Sequence, residues 1–83
     1  MEIKTINETE IFGDVIFAGN IKFTAKKVIV RGKIRAGGNI DADGNIYAVG
    51  DICARDNIHA GGYIYAVGYI YVGEKKKSKN LNT

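Results

Sequence analysis

Residues 38–72 read GNIDADGNIYAVGDICARDNIHAGGYIYAVGYIYV, and this stretch decides the fold. An isoleucine recurs at every sixth position: Ile40, Ile46, Ile52, Ile58, Ile64 and Ile70. Two residues after each stands Ala42, Ala48, Ala54, Ala60, Ala66 or Val72. Two residues before each stands a glycine, with Asp56 the exception. The unit is Gly-x-Ile-x-Ala-x. Such alternation sends Gly, Ile and Ala to one side and the x positions to the other, as in a strand. A helix would scatter positions i, i+2 and i+4 around its circumference, so helix is excluded over most of the chain.

A second period lies above the first. Shifted by 18 residues, Asn39, Ile40, Ala42, Gly44 and Ile46 fall on Asn57, Ile58, Ala60, Gly62 and Ile64. Tyr47, Ala48, Val49, Gly50 and Ile52 likewise fall on Tyr65, Ala66, Val67, Gly68 and Ile70. Three hexapeptides per period predict three short strands per coil, a triangular cross-section and like residues stacked coil on coil. An antiparallel sheet would need hairpin turns. Asp43-Gly44 is the one such dipeptide in the repeat, and it sits in phase with the other glycines. The expected fold is an all-β, short, single-stranded parallel β-solenoid with about 18 residues per coil.

Upstream, Val28 with Val30 and Ile34 with Ala36 keep the phase. The step from Ile21 to Val28 is seven, which places one extra residue near Ala25. Gly13–Phe17 and Gly19–Phe23 are weaker units. The solenoid is therefore expected over 13–73, a little over three coils, roughly 16 Å long at about 4.8 Å per coil. Residues 1–12, with Ile3, Ile6, Ile11 and Phe12, read as an N-terminal cap, and 74–83 as a disordered lysine-rich tail.

The runs Gly38-Asn39-Ile40-Asp41-Ala42-Asp43-Gly44-Asn45-Ile46 and Gly50-Asp51-Ile52-Cys53-Ala54 resemble the bactofilins, bacterial polymer-forming cytoskeletal proteins. They also resemble the C-terminal β-helix of the Min-system division inhibitor. Over residues 13–72 the resemblance implies a right-handed β-helix that self-associates, end to end into filaments in the bactofilin case. It implies no catalytic residues. The chain departs from bactofilins in having fewer coils and a lysine-rich tail.

Eighty-three residues allow one domain, with 11 glycines and no proline. The absence of proline suits continuous strand ladders that need nearly every amide donor. Over residues 1–73, eight Lys/Arg balance eight Asp/Glu, so the net charge of +3 comes from the tail. A basic patch, Lys22, Lys26, Lys27, Arg31, Lys33 and Arg35, precedes an acidic stretch from Asp41 to Asp56. A uniformly basic nucleic-acid binder would not be segregated in this way. One cysteine, Cys53, excludes an internal disulfide and suggests a reducing compartment. The N-terminus reads as no signal peptide and no stretch reads as a membrane span, so the expected location is the cytoplasm with no membrane partner.

The outward positions sort onto three faces. Asn20, Asn39 and Asn57 stand beside Lys22, Asp41 and His59 on a polar, solvated face. A second face carries Lys27, Asn45 and Tyr63 beside an apolar stripe of Ile29, Tyr47 and Tyr65. On the third, Asp14, Lys33, Asp51 and Tyr69 stand beside Ile16, Arg35, Cys53 and Tyr71. Tyrosine is enriched at contact surfaces, so Ile29, Tyr47, Tyr63, Tyr65, Tyr69 and Tyr71 are the expected interface. No phosphate loop is present, because Gly32-Lys33 runs into Ile34. Asp41 and His59 alone fall short of a metal site, and neither Cys53 nor His59 has an activating base in reach. The expectation is a non-catalytic protein without cofactor or metal that associates with itself as a scaffold or interaction module. A small inhibitor of the phage or mobile-element type, blocking one host enzyme or nucleic-acid machine, is the alternative. Direct nucleic-acid binding through the basic patch is the weaker one.

Overall fold

Each repeat unit forms a strand of two to four residues and then a corner, and three corners close a coil. The computed structural model describes residues 2–73, 75–76 and 80–82. The first coil holds β1 (Ile3–Ile6), β2 (Glu10–Ile11) and β3 (Val15–Phe17). The second holds β4 (Asn20–Phe23), β5 (Lys27–Val30) and β6 (Ile34–Ala36). The third holds β7 (Ile40–Ala42), β8 (Asn45–Ala48) and β9 (Ile52–Ala54). The fourth holds β10 (Ile58–Ala60), β11 (Tyr63–Ala66) and β12 (Ile70–Val72). Like strands stack in parallel into three sheets, β1-β4-β7-β10, β2-β5-β8-β11 and β3-β6-β9-β12. The chain is thus an all-β, triangular, parallel β-solenoid of about four coils.

The register explains why the repeat is clear late in the chain and blurred early. From β5 onward, partners are 18 residues apart, as Asn45 and Tyr63 are. Between the first two coils the step is 17 at Ile3 and Asn20, then 19 at Asp14 and Lys33. The extra residue sits in the corner between Phe23 and Lys26, whose carbonyls accept from Asp43 and Asn45. A corner absorbs it without moving a strand. The segment expected to cap the solenoid, 1–12, contains β1 and β2 and already belongs to the parallel coiling.

The core is two inward columns per sheet. Ile21, Ile40 and Ile58 form one, Val28, Ile46 and Ile64 another, and Val15, Ile34, Ile52 and Ile70 a third, all buried. The other three columns are alanine in the later coils except for Val72, and Phe23 and Val30 replace alanine in the second coil and are buried. Phe23 packs over Ile6 and Val30 over Ile11 of the first coil. At the first coil Lys4 takes the place of Ile21 and Ile40 in its column, and it is exposed.

The expected solvated asparagines are bonded. Asn20 Oδ1 accepts from the Asn39 N–H at 2.7 Å, and Asn39 Oδ1 from the Asn57 N–H at 3.0 Å. Asp14, Asn45 and Asp51 do the same for the N–H groups of Lys33, Tyr63 and Tyr69. Each side chain satisfies a corner donor of the coil above, which no strand ladder reaches. The preceding glycine makes room: a Cβ at Gly32, Gly62 or Gly68 would overlap Asp14, Asn45 or Asp51 Oδ1. Glycine therefore stands two residues before Ile34, Ile64 and Ile70 because the acceptor occupies the space of its side chain. Asn45→Ala is expected to cost about 0.5–1.5 kcal/mol. Hydrogen exchange at the Tyr63 amide should speed up, whereas Asn45→Asp, which keeps the acceptor oxygen, should leave that amide protected.

The ladder ends where Tyr63 and Tyr69 replace Asn45 and Asp51. Among the described residues no further coil stacks above Tyr63 and Tyr69. Gly73, at φ 68°, turns the chain back after β12. Two short strands, β13 (Lys75–Lys76) and β14 (Asn80–Asn82), then lie antiparallel on β12 and β11. Part of the tail expected to be disordered is therefore strand, and residues 74, 77–79 and 83 lie outside the described residues. Backbone edges of a solenoid end seek partners, and these strands supply them on two of the three sheets.

Candidate functional site

The residues expected to form an interface occupy two adjacent sheets. Ile29, Tyr47 and Tyr65 stack in one outward column of β5, β8 and β11. The Tyr47 and Tyr65 rings lie 5.0 Å apart and 9° from parallel. Side chains in register on parallel strands meet face to face, so this stack follows directly from the 18-residue step. Tyr63 stands in the neighbouring column above Asn45 and is 63% exposed. Tyr69 and Tyr71 lie around the corner on β12 and its approach, with rings 6.3 Å apart and tilted 58°. Ile29, Tyr47 and Tyr71 are half-buried, whereas Tyr65 and Tyr69 are exposed.

The structure adds four apolar residues to this surface. Val49 and Val67 project from the corner between the two sheets, one above the other, and both are exposed. Below them at the same corner come Arg31 and Phe12. Phe12 is 80% exposed, with the Arg31 guanidinium 5.9 Å from its ring centroid. Ile16, 58% exposed, lies under Arg35 on the next sheet. The identity of Val49 and Val67 across the 18-residue shift was a usable signal for that pair. Phe12 had none, since the 17- and 19-residue steps hide its column.

The basic patch lies on the second coil but spreads over all three sheets and their corners. Lys22 faces Asp43 at 3.6 Å on the sheet of β4 and β7. Arg31 donates from Nε and Nη2 to Glu10 Oε2, at 2.9 and 2.6 Å. Lys27 stands on β5, Lys26 before it, and Lys33 and Arg35 on the third side. Among the described residues two of the six cations have carboxylate partners, and the set forms a belt around the coil rather than one track for a phosphate backbone.

His59 and Asp41 are register partners on adjacent strands. Among the described residues, no group of three metal-ligating side chains is found. Arg35, Arg55, Cys53 and Tyr71 line a shallow groove of about 470 Å³. Burial, reinforced by the Asp51 carboxylate, pushes the Cys53 thiol above its ordinary value, against Arg35 and Lys33. A protonated thiol is a poor nucleophile. No helix among the described residues is long and apolar enough to cross a membrane.

Compared with known families, characterised proteins and solved structures, the chain matches none. The fold is established by its own geometry, and no family is assigned to it.

Proposed function

We propose that this protein is a non-catalytic, self-associating interaction module whose contact surface is the tyrosine-rich side of its later coils. One observation carries the reading: the outward side chains of the last coil from Tyr63 to Tyr71 are Tyr63, Tyr65, Val67, Tyr69 and Tyr71, with no charge among them. A contiguous apolar band of this kind on so small a body is a contact surface. Tyrosine suits it because the ring offers area at low entropic cost and the hydroxyl keeps a polar handle.

The ends support lateral association over stacking. β13 and β14 cover two sheet edges at the C-terminal end. At the N-terminal end, Lys4 stands in an otherwise apolar inward column. Charge directed inward at an edge strand opposes end-to-end pairing. Open-ended, bactofilin-like growth is therefore the less supported form, and closed association the better supported one. The inhibitor reading draws on the same tyrosine band, with a host protein in place of a second copy.

Light scattering after size-exclusion chromatography, across protein concentration, tests this. The expected result is a discrete dimer that Tyr47→Ser/Tyr65→Ser returns to monomer with its circular-dichroism spectrum unchanged. A monomer at every concentration would sink self-association and leave the inhibitor reading. Open-ended growth in both proteins would put the contact at the coil ends.

A further inference from the structure

We infer that two copies pair side by side and antiparallel through the β5-β8-β11 face, about a two-fold axis crossing between the second and third coils. The inference rests on the self-association reading and specifies its geometry.

The charges on this face are arranged in bands along the coil axis. Glu10 marks the first coil, Lys27 and Arg31 the second. In the third and fourth coils the same columns and corner carry Asn45, Tyr47 and Val49, then Tyr63, Tyr65 and Val67, without charge. A parallel pair would set Lys27 of each copy against Arg31 of the other, and Glu10 against Glu10. Like charges brought together cost association free energy. An antiparallel pair removes both clashes. It sets Lys27 and Arg31 opposite the third coil of the other copy, where Asn45 offers an amide oxygen and Tyr47 a ring face for a cation. It sets Glu10 opposite Tyr65, whose hydroxyl donates to a carboxylate.

The same arrangement gives Phe12 a partner. Phe12 and Val67 occupy the same corner at opposite ends of the coil stack. Reversal brings Phe12 of one copy onto Val67 of the other, and both are exposed in the single chain. The Arg31 guanidinium already packs on the Phe12 ring and pairs with Glu10, so the covered cluster holds no lone charge at its centre.

Size requires the whole face. A stable interface buries about 800 Å² per partner. The body measures only 28 × 27 × 23 Å, so the aromatic coil alone is too small. All four coils must take part, and full overlap leaves only the parallel and antiparallel choices. A two-fold pairing of this kind uses the same patch on both copies and closes at two.

Cross-linking separates the two. In a Cys53→Ser background, Phe12→Cys and Val67→Cys are prepared singly, both at exposed positions that tolerate cysteine. Mild oxidation of the two mixed together is expected to give a Phe12→Cys/Val67→Cys disulfide dimer, about tenfold more than either protein gives alone. Efficient cross-linking of Val67→Cys with Tyr63→Cys, in a protein that light scattering shows to be dimeric, would overturn the antiparallel geometry and leave self-association standing, because a parallel pair sets the Tyr63 column against the Val67 corner. A protein monomeric by light scattering would overturn both.

Discussion

Gly44→Ala is expected to be among the most damaging single substitutions in the chain, although it adds one methyl group. The new Cβ would fall on the backbone carbonyl of Lys26 in the coil below, its oxygen and carbon both inside contact distance. Backbone cannot rotate away as a side chain can. The Lys26 oxygen is also committed, since it accepts from the Asn45 N–H at 2.9 Å. Relief would mean prising two coils apart at a corner. A loss of ~3 kcal/mol or more is expected, the upper part of the range for overpacking. Total stability for a chain of this size is ~4–12 kcal/mol, so the variant should be largely destabilised. Gly50 occupies the same repeat position one strand later, and there the nearest atom to an added Cβ is the Gly32 oxygen at 3.1 Å. Gly50→Ala should cost ~1 kcal/mol or less, because a few tenths of an ångström suffice and alanine lowers unfolded-state entropy. Urea titration followed by circular dichroism compares the two. Equal midpoints would show that the corner at Lys26 yields, against this account.

Ile46→Ala should be nearly as severe, for the opposite reason. Ile46 is 1% exposed and sits between Val28 below and Ile64 above. Truncation removes transfer free energy and leaves a cavity that the backbone ladders on either side hold open. Large-to-small core changes of this kind cost ~2–5 kcal/mol. In a solenoid each coil touches only its neighbours, so a defect in a middle coil weakens two interfaces. Ile58→Ala is expected at the low end of that range, because β10 is the last strand of its sheet and Ile58 packs on Ile40 alone within its column. Equal losses at the two positions in thermal or urea unfolding would show that the stack responds as a whole and not coil by coil.

The stripe of Ile29, Tyr47 and Tyr65 was legible because residues 18 apart on parallel strands must stack, and the sequence states that spacing. Tyr69 and Tyr71 were legible on a different face by the same arithmetic. The corner residues were not. Val49 and Val67 follow an alanine, and whether such a position lies on a face or projects from an edge depends on where the chain bends. Phe12 precedes the regular spacing altogether. The asparagine column was read as solvated because a repeat of polar residues says nothing about which donor lies above it.

What the sequence determined alone is the coil. An isoleucine every six residues, with alanine two later, can bury its apolar side only by closing three strands around an axis and stacking turn on turn, since a lone coil has no core. That information is local, repeated and additive, so it survives one inserted residue. What only the tertiary structure decided lies between coils and at the ends. Oδ1 of Asp14, Asn20, Asn39, Asn45 and Asp51 reaches an N–H of the next coil because the corners align, and glycine is needed where the oxygen of Asp14, Asn45 or Asp51 sits. The coiling begins at Ile3, against the apparent repeat, because backbone ladders tolerate steps of 17 and 19 when the corners absorb them. It stops after Val72 because Gly73 reverses the chain and places antiparallel strands on two of the three last edges.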